Sequence, residues 1–134
     1  MASAVPYGHG CHGTGGRAPR IGTSGTPRLG NAGFVCTIAG ALPGSPAILL
    51  LCLDRLDLPR PGGCVLQVDV TRMLTALVAP VGAAGDGSVS LPVPVDPALR
   101  GARLFGQYIV VDPGGANGGL LAYTDGLSVV LASN

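Results

Sequence analysis

The sequence predicts an all-β fold: a disulfide-stapled antiparallel β-sandwich, jelly-roll or immunoglobulin-like, with about seven or eight short strands. Three observations lead to this prediction. The 134 residues include 23 glycines and 12 prolines, which break helices and form turns. Apolar residues still make up 47% of the chain and charged residues only 11%, so this composition indicates turns rather than disorder. Apolar segments also recur about every ten residues, each long enough for one strand.

Residues 1–32 are predicted to form an extended arm with at most one or two short strands, because Gly, Pro, Ser, Thr and Arg dominate there. Residues 33–134 then form a single β-sandwich domain, since a chain of this length holds one hydrophobic core. The arm contains Arg17, Arg20 and Arg28 and no acidic residue. We expect these three cations to form an interaction surface toward the body of the chain or toward a neighbouring molecule.

The first strand of the body begins at Phe34, where Phe34, Cys36 and Ile38 alternate with their neighbours as in a half-buried strand. A turn over 41–46 contains Pro-Gly, and an apolar strand over 48–53 follows it. The two strands are therefore predicted to form a hairpin.

The remaining elements follow in order along the chain. Strands are predicted at 63–69, 72–81, 88–95, 103–112, 120–123 and 127–131. The segment 72–81 also fits a short helix, and two prolines place 88–95 at a sheet edge or make it irregular. Asp96 as N-cap, Pro97 at the first position and Gly101 as the stop predict one helical turn.

The four cysteines allow three pairings. Cys36 and Cys52 are equidistant from Gly44 in the predicted hairpin, so we expect them to lie opposite each other and form a disulfide. Cys11 then pairs with Cys64, which staples the arm to the third strand and stabilises the fold by about 4 kcal/mol. The alternative is that Cys36 and Cys52 are free, small buried side chains. Two disulfides would indicate a secreted or cell-surface protein, although the first residues do not resemble a signal peptide.

Two groups of residues are candidates for metal binding. His9, Cys11 and His12 carry side chains that bind zinc or copper, but a bridged Cys11 cannot be a ligand. Asp112 and Asn117 could bind calcium through their oxygens, or they could form an Asx-type turn. We expect turns and solvated imidazoles here, with no metal and no cofactor.

Composition excludes several classes of function. All eight cations are arginine and all seven anions are aspartate, so lysine-dependent phosphate binding and Schiff-base chemistry are excluded. The net charge of +1 argues against nucleic acid as a partner. The apolar run 47–53 is much shorter than the roughly 20 residues of a membrane span. No nucleophile–base arrangement is recognised either, and we expect the protein not to be an enzyme.

A set of short motifs resembles a known domain family. They are, in order, Tyr7-Gly8-x-Gly10-Cys11-x-Gly13, Gly63-Cys64-x-Leu66-x-Val68, Asp96-Pro97-x-Leu99-x-Gly101, Val111-Asp112-Pro113 and Asp125-Gly126-Leu127. The pattern resembles the uncharacterised C-terminal β-domain of many large secreted proteins of planctomycetes and myxobacteria. This resemblance implies an extracellular, non-catalytic sandwich with paired cysteines at Cys11 and Cys64. It implies nothing for Cys36 and Cys52.

Three hypotheses of function result. The first is a structural or interaction domain that self-assembles, as a filament, coat or surface-layer subunit, through strand edges or the arm; its partner is itself or a cell-surface component. The second is a small-ligand or carbohydrate-binding module, which needs a concave face with Tyr108 or Tyr123 beside an Asp or Asn. The third is a metal-dependent enzyme that uses His9 and His12.

Overall fold

The computed structural model describes residues 1–134 and contains ten strands, four short 3-10 turns and no α-helix. The strands are β1 (Ser3–Tyr7), β2 (Arg20–Ser24), β3 (Val35–Ala39), β4 (Pro46–Cys52), β5 (Arg55–Arg60), β6 (Cys64–Val68), β7 (Met73–Pro80), β8 (Gly87–Ser90), β9 (Arg103–Val111) and β10 (Leu121–Val130). All strand pairs are antiparallel. The predicted all-β, antiparallel fold class is confirmed, with more strands than expected.

The strands form three sheets. A five-stranded central sheet has the order β1-β10-β9-β4-β7, and a three-stranded cover sheet has the order β2-β3-β8. The third sheet is the β5–β6 hairpin. Alternation along β4 shows how they stack: Leu49 and Leu51 belong to the core shared with the cover sheet, whereas Leu50 and Cys52 pack with residues of the hairpin. The central sheet is therefore the middle layer of three.

The main hydrophobic core lies between the central sheet and the cover sheet. It is one cluster of 17 buried residues, to which Leu49 and Tyr108 contribute from the central sheet and Cys36 and Ile38 from the cover sheet. The Tyr108 hydroxyl donates a hydrogen bond of 2.8 Å to the carbonyl oxygen of Cys36. The core thus joins both sheets in a sandwich-like arrangement.

The opposite face of the central sheet has much less apolar packing. Two clusters of three buried residues lie under the hairpin: Cys11, Cys64 and Tyr123 form one, and Cys52, Val68 and Phe105 form the other. Cys11 and Cys64 form a disulfide with a Cα–Cα distance of 4.9 Å. The Cys11–Cys64 prediction is confirmed, and the disulfide supplements a small apolar contact.

The predicted Cys36–Cys52 disulfide is wrong, because the two cysteines lie in strands that do not pair. β3 pairs with β2 and β8, and β4 pairs with β7 and β9. The turn between β3 and β4 carries the chain from one sheet to the other, so the two strands face each other across the core. Both thiols are free and buried, as the alternative prediction states. Burial raises the pKa of the Cys36 thiol to about 12, which keeps it protonated.

Three further elements differ from their predictions or refine them. The sequence does not predict β5, because its charges and Pro59 favour a loop. The two closing strands are one strand, β10, interrupted by a bulge between Tyr123 and Gly126. β8 ends before the two prolines of 88–95 and lies at a sheet edge, as predicted.

Residues 1–32 are built into the fold through both main sheets. β1 pairs with β10 at one edge of the central sheet, and β2 pairs with β3 at one edge of the cover sheet. Cys11 attaches the stretch between these strands to the hairpin. The arm therefore packs on its own chain.

Candidate functional site

The candidate zinc or copper ligands do not converge in the structure. Cys11 is held in its disulfide, and both histidines are exposed. The His9 Nδ1 atom lies 3.1 Å from the Gly10 carbonyl oxygen, and the His12 Nδ1 atom lies 3.4 Å from that of Gly13. No group of three His, Cys, Asp or Glu side chains is close enough together to hold a metal ion.

Asp112 holds the arm in place. Its buried carboxylate accepts hydrogen bonds from the backbone N–H and the hydroxyl of Thr14 and from the Gly114 N–H. Burial alone would raise the pKa of Asp112, but the hydrogen bonds from Thr14 and Gly114 outweigh it, and the pKa lies below its ordinary value. A Cβ atom at Gly13 would lie 2.2 Å from the carboxylate, so this contact requires glycine. Asp112 is therefore a structural clamp for the 3-10 turn at Thr14–Gly16.

Asn117, the second calcium candidate, has a separate partner. Its side-chain amide donates a hydrogen bond of 2.9 Å to the hydroxyl of Tyr123. Tyr123 is itself only 6% exposed, and Tyr108 is fully buried. Neither tyrosine can be the exposed platform that the carbohydrate-binding hypothesis requires. Both sequence-predicted tyrosines thus stabilise the interior.

The three arm arginines, Arg17, Arg20 and Arg28, are exposed, and none takes part in an ion pair. The one salt bridge of the structure joins Arg72 to Asp54, both on the surface. The arm cations are thus free to bind an anionic partner, but they do not share a pocket, since of the three only Arg17 lines one of the main cavities.

A polar network that the sequence did not predict attaches the hairpin to the central sheet. The fully buried Gln107 side chain accepts from the Gln67 N–H at 2.9 Å and donates to the Val65 carbonyl oxygen at 3.0 Å. Its amide also donates to the Thr124 carbonyl oxygen in the β10 bulge, at 2.8 Å. The Gln107 side chain thus satisfies backbone groups on the edge of β6 that does not pair with β5, where a larger sheet would have another strand.

Tyr7 completes the same junction. Its hydroxyl donates to the Gln67 carbonyl oxygen at 2.6 Å, its ring packs edge-on against Phe105, and the Arg55 guanidinium lies 4.1 Å from the ring centroid. A Cβ atom at Gly126 would lie 2.4 Å from the Tyr7 ring. The motifs that contain Tyr7 and Gly126 therefore pack against each other.

The strand edges differ sharply in how they are protected. β1 contains Pro6, β5 contains Arg55, Asp57 and Pro59, and β8 has only four residues. The edge of β2 is partly occupied, because the Asp125 carboxylate accepts the Ile21 N–H at 3.0 Å.

β7 lacks these devices along all but its last residue. It has eight residues, no charge, and a single proline at its last position. Leu74 is 57% exposed and Val78 is 65% exposed. β7 pairs only with β4, so its other edge presents unpaired backbone groups along an apolar strand.

A large apolar groove opens near the same side of the molecule. It has a volume of about 560 Å³ and is lined by 16 residues, of which 12 are hydrophobic. Its walls include Phe34, Leu51, Leu77, Val93, Leu104 and Leu131, and its one charged residue is Arg103. The lining comes from segments far apart in the chain, so no local sequence signal could reveal it.

The chain was compared with protein-family models, with curated proteins and with solved structures, and none of them matches it. The resemblance to the C-terminal β-domain of secreted proteins therefore stays a prediction. The helical elements are 3-10 turns of three residues each, and none of them could span a membrane.

Proposed function

We propose that this chain is a non-catalytic extracellular interaction domain that associates with a second copy of itself through the edge of β7. The single observation that carries the proposal is the contrast between this long, uncharged, apolar edge and the other edges of the sheets. An edge of this kind is a template for pairing with another strand.

A second copy is the partner that the chemistry of this edge favours. Antiparallel pairing of β7 with β7 across a two-fold axis places like residues against like, and no charge on the strand opposes this contact. It would join the two central sheets into one continuous sheet, and side chains of the partner strand would shield part of Leu74 and Val78, which are both more than half exposed. The arm is a weaker route to assembly, because β1 contains Pro6 and the free edge of β2 is partly occupied by the Asp125 carboxylate.

The extracellular part of the proposal is supported by the Cys11–Cys64 disulfide. Disulfides persist in oxidising compartments and are rare in the cytosol. The resemblance to a domain of large secreted proteins points the same way.

The test measures the mass of the protein in solution, by light scattering or sedimentation, over a wide range of protein concentration. We expect the wild type to reach twice the mass of one chain as its concentration rises, and Val78→Lys to remain a monomer. A lysine on an edge strand opposes pairing because its charge would have to be buried or repelled.

Val5→Lys is the matched control. Val5 is 56% exposed and lies on β1, at the opposite edge of the same sheet, so the substitution has the same chemistry. Its association should equal that of the wild type. A wild type that stays monomeric at all concentrations would refute self-association, and equal loss in both variants would refute the assignment to β7.

A further inference from the structure

We propose that the apolar groove binds a free fatty acid, with the aliphatic chain along the groove and the carboxylate on Arg103. The volume of about 560 Å³ lies in the range of about 300–1,000 Å³ that is usual for small-molecule sites. Leu74 and Leu77 of β7 belong to the lining, so the groove borders the proposed β7 interface, and its test therefore follows ligand binding rather than association.

The composition of the walls selects an aliphatic body for the ligand. Apart from the 12 hydrophobic residues, the lining consists of Ser90, Pro92, Pro94 and Arg103. Only Ser90 and Arg103 therefore have side chains that can form hydrogen bonds with the hydroxyls of a sugar or the amides of a peptide. A hydrocarbon chain makes no such demand and gains free energy from every methylene that leaves water.

The charge of the groove selects an acidic headgroup. No aspartate lines the groove, and Arg103 is exposed and takes part in no ion pair. A guanidinium can bind a carboxylate through two parallel hydrogen bonds, which makes an unpaired arginine beside an apolar surface complementary to a fatty acid.

A neighbouring arginine provides an internal comparison. Arg100 is exposed like Arg103, but it does not line the groove, and its Nε atom donates a hydrogen bond of 3.1 Å to the Ser133 hydroxyl. The two cations are close in sequence and differ in their relation to the groove. Only Arg103 should therefore contribute to binding.

The experiment titrates ¹⁵N-labelled protein with octanoate, decanoate and dodecanoate, each below its micelle concentration, and follows the amide shifts. We expect saturable shifts at groove residues such as Val93, Leu104 and Leu131. Affinity should rise about fourfold for each added methylene, the equivalent of about 0.8 kcal/mol. A lack of saturable shifts, or shifts confined to another surface, would overturn the proposal.

The headgroup is tested with variants and with a neutral ligand. Arg103→Gln should weaken decanoate binding by about tenfold or more, whereas Arg100→Gln should leave it unchanged. Both variants and the wild type should bind 1-decanol equally and more weakly than the wild type binds decanoate. Equal effects of the two substitutions on decanoate, or wild-type binding of 1-decanol as tight as that of decanoate, would refute the role of Arg103.

Discussion

The two faces of the central sheet are held by different kinds of interaction. The face toward the cover sheet buries a cluster of 17 residues, nearly all of them aliphatic or aromatic. The face toward the β5–β6 hairpin has two clusters of three buried residues, and in addition a disulfide and the hydrogen bonds of Gln107 and Tyr7. The first face is stabilised by apolar burial, and the second depends on a few specific bonds.

The difference follows from the amount of apolar surface that each layer brings. β5 and β6 have 11 residues between them, and β5 has no buried residue. So small an element buries too little apolar area to offset the conformational entropy of ordering it. Covalent and polar contacts supply the remainder, as they do in small disulfide-rich domains. Removing one of these specific bonds should therefore destabilise the hairpin face more than the small size of the hairpin suggests.

The largest effect is expected from the disulfide. Cys11 and Cys64 are 53 residues apart, and on the chain-entropy model the double variant Cys11→Ala/Cys64→Ala loses about 4 kcal/mol of the free energy of unfolding. Urea unfolding with and without reductant measures it: reductant should destabilise the wild type by this amount and leave the double variant unchanged.

Cys52→Ala is the control for the disulfide experiment. Cys52 is buried in the same layer but free, so reductant should destabilise this variant as much as the wild type. The intact mass should rise by two hydrogen atoms on reduction, which corresponds to one bridge. A gain of four hydrogen atoms, or stability that does not respond to reductant, would contradict the structure.

Gln107 should give the next largest effect. Gln107→Leu keeps the volume of the side chain but removes three hydrogen bonds and leaves the Gln67 N–H and the Val65 and Thr124 carbonyls without their partner. Unpaired buried groups cost about 1–3 kcal/mol each. Because the structure around the substitution relaxes in part, the free energy of unfolding should fall by about 3 kcal/mol in total.

Gln67→Leu is the matched control for Gln107→Leu. The Gln67 side chain makes one hydrogen bond, from its amide to the His9 carbonyl oxygen at 3.0 Å, so its loss should cost about 1 kcal/mol. Hydrogen exchange should show faster exchange of the β6 amides in Gln107→Leu than in Gln67→Leu. Equal destabilisation by the two substitutions would mean that Gln107 does not hold the hairpin.

The fold class could be predicted from the sequence because it depends on local signals. Alternating apolar segments and the turns between them indicate strands, and the Asp96 cap with Pro97 gives the 3-10 turn, where Asp96 accepts from the Ala98 N–H. Which strands pair is decided by contacts distant in sequence. The hairpin prediction failed for this reason, since equal spacing around Gly44 fits both a hairpin and a crossing between two sheets.

The candidate sites were harder to predict for the same physical reason. By elimination, the Cys11–Cys64 pair follows from a Cys36–Cys52 disulfide in a hairpin, and that hairpin is absent from the structure. The resemblance to the β-domain of secreted proteins implies the Cys11–Cys64 pair directly. Asp112 and Asn117 stand out as oxygen donors, but only the fold shows that Thr14 and Tyr123 are their partners. No sequence motif marks the free edge of β7 or the apolar groove. Each exists because the rest of the folded chain leaves that surface uncovered.

The smallest effect is expected from Asp112, which holds the arm to the end of β9. Because its folded pKa lies below its ordinary value of about 4, its stabilisation is fully present above that pH and is lost as the pH falls through the lowered pKa. Asp112→Asn keeps an acceptor but cannot accept all three bonds, so it should cost about 1–2 kcal/mol at pH 7.

The pH dependence separates this clamp from an ordinary turn. Urea unfolding of wild type and Asp112→Asn from pH 7 to pH 2 should give stability curves that differ at neutral pH and converge in acid. Asp96 accepts the N–H two residues ahead in the same way as Asp112 but has no partner in the arm, so Asp96→Asn should show almost no difference at any pH. If Asp112→Asn kept a constant difference down to pH 2, the ionised carboxylate would not be what holds Thr14. If both variants behaved alike, Asp112 would stabilise only its own turn, and the arm would depend on Cys11 and on β1 and β2.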